Sequence, residues 1–269
     1  MPVDTPDQTL HQIFTTIADK HPAELRVAIE RYRRNVSTQL AKHHGNVVKY
    51  GPFKGLKLDG DSHWSAGDRG AMALGLYEQE VLSLLVELRS PSANFINLGA
   101  ADGYYAIGVL VANLFAKSFA FEISDEGQAV IKVQAENNQV SHRIQIFGKA
   151  ESTFAELISE SDRSGAVVLC DIEGGEFDVF SSDTFEAFQK STIIIELHEW
   201  FPDANQRVSA LIQAASRTHD HRSFRTGGRD LSHFPELVKL DDNTRWLICA
   251  EGRPYHMKWI VFSPKECSA

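Results

Sequence analysis

The chain has 269 residues, 43% of them hydrophobic and 23% charged, which suits one large α/β domain with an extension, or two small domains, around a sizeable core. Its net charge of −9 argues against a partner held through phosphate contacts, so no nucleic acid is expected. Three cysteines, Cys170, Cys249 and Cys267, without a CxxC spacing point to neither a disulfide framework nor a zinc site, and no apolar run approaches the ~18 residues of a membrane span.

Residues 1–7 lack the basic and apolar regions of a signal peptide, so a cytoplasmic location is expected. Residues 1–43 read as helical. Asp7 caps a first helix carrying Leu10, Ile13, Phe14 and Ile17. Pro22 opens a second carrying Leu25, Val27, Ala28, Ile29 and Tyr32, and Gly45 ends it. Its basic patch, Arg31, Arg33 and Arg34, reads as a solvated face diluted by Glu24 and Glu30. These helices suit a cap over a site or a contact in a homo-oligomer. Residues 46–58 read as two short strands around a turn. The polar stretch 61–70 is a candidate substrate loop, with His63 and Trp64 as its contacts. Residues 1–69 are thus an N-terminal extension with a cap loop, and 70–269 the main domain.

An amphipathic helix is expected over 71–89. From Phe95 onward strands and helices alternate. Strands are expected at 95–98, 118–123, 144–147, 166–172 and 193–197. Helices are expected after each, near 104–114, 129–138, 151–159, 175–189 and 204–217. The strands are short, apolar and often β-branched, as when both faces are covered, so the pattern predicts a parallel, doubly wound sheet. His221 to Arg225 reads as a sixth strand, Asp241 or Asp242 as the cap of a helix carrying Trp246, Leu247 and Ala250, with a strand as the alternative there, and Met257 to Phe262 as a last strand ended by Pro264. An antiparallel last strand would set the fold apart from a plain dinucleotide-binding domain.

The chemistry gathers at the carboxyl ends of these strands, where parallel sheets hold ligands. Gly99-x-Ala101-x-Gly103 is a strand–turn–helix glycine turn, with Tyr104 opening the helix. Glu122 lies 23 residues past Gly99 at the next strand end, followed by Ile123; an acid there accepts hydrogen bonds from ribose hydroxyls. Lys149 and Ala150 follow the third strand, where backbone amides can hold a base. Asp171 and Glu173 follow the fourth, and Glu196 and His198 end the fifth with Trp200 beyond. No Tyr-x-x-x-Lys appears and Ala101 replaces a fingerprint glycine, so a nicotinamide oxidoreductase fits less well.

The run from Phe95 to Tyr105, the Asp-Ile-Glu-Gly-Gly-Glu run at 171–176 and the Ile-Ile-Glu-Leu-His run at 194–198 resemble FkbM-type class I S-adenosylmethionine-dependent methyltransferases. The segments Tyr50 to Lys57 and Gly75 to Glu80 resemble the leader of some members. The resemblance covers about 95–200 closely. It implies a Rossmann-like class I methyltransferase fold: a mostly parallel seven-stranded sheet with helices on both faces, an antiparallel last strand and, here, an N-terminal helical extension. It implies S-adenosylmethionine as cofactor, held by Asn97, Gly99, Ala101, Gly103, Tyr104, Glu122, Ile123, Lys149, Ala150 and Asp171. Asn97 departs from the acid usual at its position, which implies either weaker cofactor binding or compensation by Asp102 or Glu78.

The expected reaction is O-methylation of a sugar, glycan or small polar metabolite. His198 has the intrinsic pKa of a general base, with Glu196 or Glu173 to orient it and Asp171 in the same crevice; Trp200 joins His63 and Trp64 as a substrate contact. Two alternatives remain. One is a metal-dependent O-methyltransferase whose divalent ion is held by Asp171, Glu196 and His198, a donor set suited to such ions. The other is a non-catalytic nucleoside-binding scaffold.

Overall fold

The computed structural model describes residues 22–58, 64, 66–253 and 256–266. The helix expected near 7–17 and the candidate contact His63 lie outside the described residues. Seven strands form one sheet: β1 (Phe95–Leu98), β2 (Ser118–Phe121), β3 (Ile144–Phe147), β4 (Val167–Cys170), β5 (Thr192–Leu197), β6 (His219–Arg225) and β7 (Lys258–Pro264). Their order is β3-β2-β1-β4-β5-β7-β6. The first five run parallel, and β7 inserts antiparallel between β5 and β6. This is the Rossmann-like architecture the sequence led us to expect, including the reversed last strand. Among the described residues no helix is long and apolar enough to cross a membrane.

Each central strand feeds two cores, because successive side chains point to opposite faces. Phe95, Val167 and Leu169 join a cluster with Val81, Leu85, Ile107, Leu110 and Ile131 from the helices at 79–87, 104–111 and 125–137. Ile96, Leu98, Val168 and Cys170 face the other way, against Phe154, Val179, Phe185, Val208 and Leu211. All four residues of β1 and of β4 are buried, which is why both read as unbroken apolar runs. Chain order along the sheet reverses between β1 and β4, and such a switch point opens a crevice at the carboxyl edge.

The structure corrects several local expectations. The helix expected over 71–89 is two pieces, Arg69–Ala73 and Gln79–Glu87. Between them Gly75 adopts φ +67° and Glu78 φ +44°. A Cβ on Gly75 would lie 2.4 Å from the Tyr50 carbonyl oxygen, so the segment at 46–58 docks where the helix would have continued. That segment is a turn closed by the single antiparallel bridge Val47–Lys57 rather than two strands. The 151–159 helix is a 3-10 turn, Phe154–Leu157, followed by one turn at Glu160–Arg163. The material at 175–189 splits into Glu176–Val179 and Ser182–Ala187, with Ser181 capping the second.

Arg33 also departs from its expected solvated face. It is 5% exposed, and its Nη1 donates to Asp68 Oδ1 at 2.7 Å and to the Ala250 carbonyl at 2.8 Å. It ties the helix Pro22–His43 to the chain just before the break and to the end of the helix Asp242–Cys249. Leu40, Leu74, Leu76 and Ile248 form a third cluster there.

Candidate active site

Behind β1 the backbone turns through left-handed conformations at Gly99 (φ +79°), Ala101 (φ +47°) and Gly103 (φ +85°). An alanine in this region is strained unless something holds it. Here the Ala101 N–H donates to Glu122 Oε2 at 2.8 Å, while Glu122 Oε1 accepts from the Ser124 N–H at 2.8 Å. Glu122 therefore pins the turn after β1 to the start of the helix after β2. Gly99 is confined by β4: a Cβ there would meet the Asp171 carbonyl oxygen at 1.7 Å. We expect Gly99→Ala to lower the free energy of unfolding by at least ~2 kcal/mol, through left-handed strain plus backbone displacement, as read from urea denaturation. A variant as stable as the parent would mean the β1 and β4 ends separate freely.

A cleft of about 470 Å³ opens at this edge. Of the residues singled out from sequence, Gly99, Ala101, Glu122, Ile123, Lys149, Ala150, Asp171 and Glu173 line it, together with Trp64. Ile123 is 69% exposed, an apolar side chain left bare at the rim. Trp64 is also exposed, and its N–H donates to Asp102 Oδ1 at 3.2 Å.

Asn97, Gly103 and Tyr104 sit behind the lining. Asn97 is buried within β1 and its Oδ1 has no hydrogen-bond partner. Tyr104 packs edge-on against Phe53 and Tyr77, with its hydroxyl unpartnered. Neither Asp102 nor Glu78 reaches the lining either, and Glu78 is committed elsewhere. Sequence reasoning missed the far wall, Ile172, Gly175, Asp178 and Val179. The chain curls there through left-handed Glu173 (φ +54°) and Gly174 (φ +103°); the Gly174-Gly175 pair was the available signal.

The carboxyl ends of β4 and β5 bring Asp171, Glu173, Glu196 and His198 together. His198 is 1% exposed. Its Nε2 lies 3.4 Å from Asp171 Oδ1, 3.5 Å from Glu196 Oε2 and 3.6 Å from Glu173 Oε2. β4 ends at Cys170, so Asp171 and Glu173 converge by the curl of the loop rather than by strand alternation. Its Nδ1 lies 3.1 Å from Glu176 Oε1, which also accepts the His198 backbone N–H at 2.9 Å. Glu176, fully buried, was read in the sequence as part of a run and given no role.

Crowding of anions sets the protonation here. Burial alone would lower the His198 ring, but Glu176, Glu196 and Asp171 around it outweigh burial and raise it to about 10. Burial, reinforced by the Asp171 charge, pushes Glu196 up to about 9. Burial also holds Asp171 and Glu173 above the usual carboxylate range, although His198 opposes it.

A second missed group backs this cluster. Arg253 bonds to Glu196 through Nη1 and to Glu78 through Nη2, and its Nε donates to Glu251 Oε2 at 2.8 Å. Glu251 in turn accepts from Arg229 at 2.6 Å, and Glu78 accepts from the Tyr105 hydroxyl at 2.5 Å. Trp200 lies with its ring centroid 4.6 Å from that of His198. It faces a separate hollow of about 240 Å³ shared with Glu199, Arg225 and Lys258.

No family model matches the chain, and no curated protein matches it. Solved structures do resemble it. The O-methyltransferase TomG from Streptomyces achromogenes, solved with S-adenosylmethionine, is 12% identical over 87% of this chain and 90% of its own, with a TM-score of 0.49. An O-methyltransferase from Bacillus cereus, solved with S-adenosylhomocysteine, is 10% identical over 95% and 97%, at 0.47. The B. subtilis tRNA methyltransferase TrmK is 10% identical over 68% of this chain, at 0.45, and the chain spans only 65% of its length. The chain likewise spans 60% of the spermidine synthase from Thermotoga maritima, at 14% identity and 0.47. Identities this low carry no information on cofactor or acceptor.

Proposed function

We propose that the protein is an S-adenosylmethionine-dependent methyltransferase that O-methylates a hydroxyl of a sugar, glycan or small polar metabolite. One observation carries the reading: a cleft at the β1/β4 switch point has a buried carboxylate, Glu122, at its glycine turn and a carboxylate–imidazole group, Asp171, Glu173, Glu196 and His198, on its β4 side. The first feature suits a nucleoside, and the second suits a hydroxyl that must lose a proton. The sequence resemblance to FkbM-type enzymes supports the same cofactor and a polar acceptor.

In this reading Glu122 accepts the ribose hydroxyls on the lone pairs that its two backbone contacts leave free. Ile123 covers one face of the adenine, and the backbone at Lys149 and Ala150 borders its edge. Trp64, which lines the same cleft, meets the acceptor. The acceptor oxygen attacks the sulfonium methyl; the new C–O bond forms as the C–S bond breaks, and sulfur keeps the electron pair. Most of this is alignment. With no cation bound, His198 does not suit the role of base expected of it, because the surrounding carboxylates raise its ring to about 10 and it would hold its proton at neutral pH. Asp171 and the half-exposed Glu173 are better placed to take the hydroxyl proton.

The test is calorimetry with S-adenosylmethionine and, separately, NAD, followed by transfer of a labelled methyl group to a panel of sugars and polyols. One-to-one binding of S-adenosylmethionine alone, with label appearing on a hydroxyl, is the expected result. Binding of NAD instead would sink the methyltransferase reading, and binding of neither would favour a scaffold.

A further inference from the structure

The carboxylates of Asp171, Glu173 and Glu196 gather around His198 Nε2 within ion-pair distance but beyond hydrogen-bond distance. From Nε2 of His198 the three carboxylate oxygens stand at 3.4, 3.5 and 3.6 Å. All are longer than an ordinary N–H···O bond of about 2.7–3.2 Å. Two ligand atoms that each lie about 2.1 Å from one ion are separated by roughly 3.0–3.4 Å in octahedral or tetrahedral geometry. The three separations from Nε2 lie at or slightly above that range. One donor atom each from Asp171, Glu196 and His198 falls within 4.8 Å of the others.

Three independent features point at the space between these atoms. Asp171 Oδ1 is buried and, among the described residues, makes no hydrogen bond, its one charged contact being His198 Nε2 at 3.4 Å; such an oxygen favours a further ligand. Glu176 accepts both the backbone N–H and the ring Nδ1 side of His198, so the imidazole is oriented with Nε2 toward the three carboxylates. A carboxylate behind a histidine is the usual outer support of a metal ligand, because it sets the tautomer and the ring angle. Arg253 does the same for Glu196: it occupies Oε1 and leaves Oε2 facing Nε2. Four carboxylates, those of Asp171, Glu173, Glu176 and Glu196, then surround one imidazole, and the single guanidinium nearby is shared with Glu78 and Glu251. With all four ionised the surplus charge would be negative, and a divalent cation would offset it.

We propose that Asp171, Glu196 and His198 bind a divalent cation on the β4 side of the cleft, with Glu173 supplying a further oxygen. One imidazole among carboxylates suits Mn²⁺ and its first-row neighbours better than the all-oxygen shells of Mg²⁺ or Ca²⁺. Asp171 and Glu173 also line the cleft, so an ion here keeps open positions toward the acceptor. The consequence for catalysis rests on the methyltransferase reading: a hydroxyl bound to the ion would lose its proton more readily. The binding site itself does not depend on that reading.

The experiment uses full-length protein treated with a chelator and desalted, then titrated with MnCl₂ alone. Bound metal is read by calorimetry and by loss of the free-Mn²⁺ electron paramagnetic resonance signal. One Mn²⁺ per chain is expected. Asp171→Asn and Glu173→Gln, both at half-exposed positions, should weaken it by at least ~10-fold, and Glu196→Gln by as much, with circular dichroism confirming that each variant is folded. Absence of saturable binding by the parent would overturn the proposal. So would Mn²⁺ binding that survives Asp171→Asn unchanged, which would place the ion elsewhere. S-adenosylmethionine binding is measured on the same samples. Cofactor binding without Mn²⁺ binding removes the metal and keeps the methyltransferase; Mn²⁺ binding without cofactor binding does the reverse.

Discussion

Replacing Arg253 with alanine is expected to destabilise the protein by about 3–5 kcal/mol, the usual cost of leaving buried charges without their partner. The expectation rests on what the guanidinium holds. Its three nitrogens reach three carboxylates, Glu78, Glu196 and Glu251, whose side chains are 1%, 2% and 8% exposed. Without Arg253, Glu251 keeps Arg229, while Glu78 keeps only its hydrogen bond from Tyr105. Arg253→Lys should restore part of the loss, because a single ammonium cannot present a fork to three acceptors. Urea denaturation reads the effect directly, and a loss under ~1 kcal/mol would mean that the array is solvated.

The deficit should also depend on pH. Burial raises the Glu251 carboxyl above its ordinary value, although Arg229 opposes it. A group whose pKa rises on folding contributes stability that is fully present below its unfolded value, near ~4.3 for a glutamate. That contribution is lost as pH climbs through the folded value. Removing Arg253 raises the folded value further, so the gap between variant and parent should widen from pH 5 to pH 8.

Glu122→Ala is the second large effect, and it falls on cofactor affinity. Hydrogen bonds to a charged group contribute about 1.5–3 kcal/mol each. Losing a carboxylate that grips ribose would therefore weaken S-adenosylmethionine binding by roughly 10²-fold, at about 1.4 kcal/mol per factor of ten. The same change removes the acceptor for the Ala101 and Ser124 N–H groups, which loosens the left-handed alanine at the turn. Glu122→Gln keeps one oxygen acceptor and should lie between the two. Calorimetry separates the roles: if Glu122→Ala binds the cofactor as tightly as the parent, Glu122 serves only to pin the two loops.

Much of the site was legible because its parts are local. Gly99, Ala101, Glu122, Ala150, Asp171 and Glu173 each sit at or just past a strand end, and a parallel sheet carries all its strand ends to one edge. Tyr104 shows the limit of that reasoning. Its place in the chain is right for a cleft residue, yet the helix it opens turns the ring inward against Phe53 and Tyr77. Phe53 belongs to a segment about 50 residues earlier, and no pattern around Tyr104 announces it. The helix at 71–89 fails for the same kind of reason: its apolar spacing is helical throughout, and contact with Tyr50 and Gly51 breaks it.

The sequence by itself determined the strands, their alternation with helices and the residues gathered at the sheet's edge, because short unbroken apolar runs and glycine turns are written within a few residues of one another. The antiparallel last strand was reached through the family resemblance. Only the tertiary structure decided how the charges are shared. Glu176 stands 22 positions from His198 and Arg253 stands 175 from Glu78. A buried ion pair is defined by distance and loss of water, and neither leaves a local mark on the chain. That is why His198, a free base when read alone, proves to be a buried ring enclosed by Asp171, Glu173, Glu176 and Glu196.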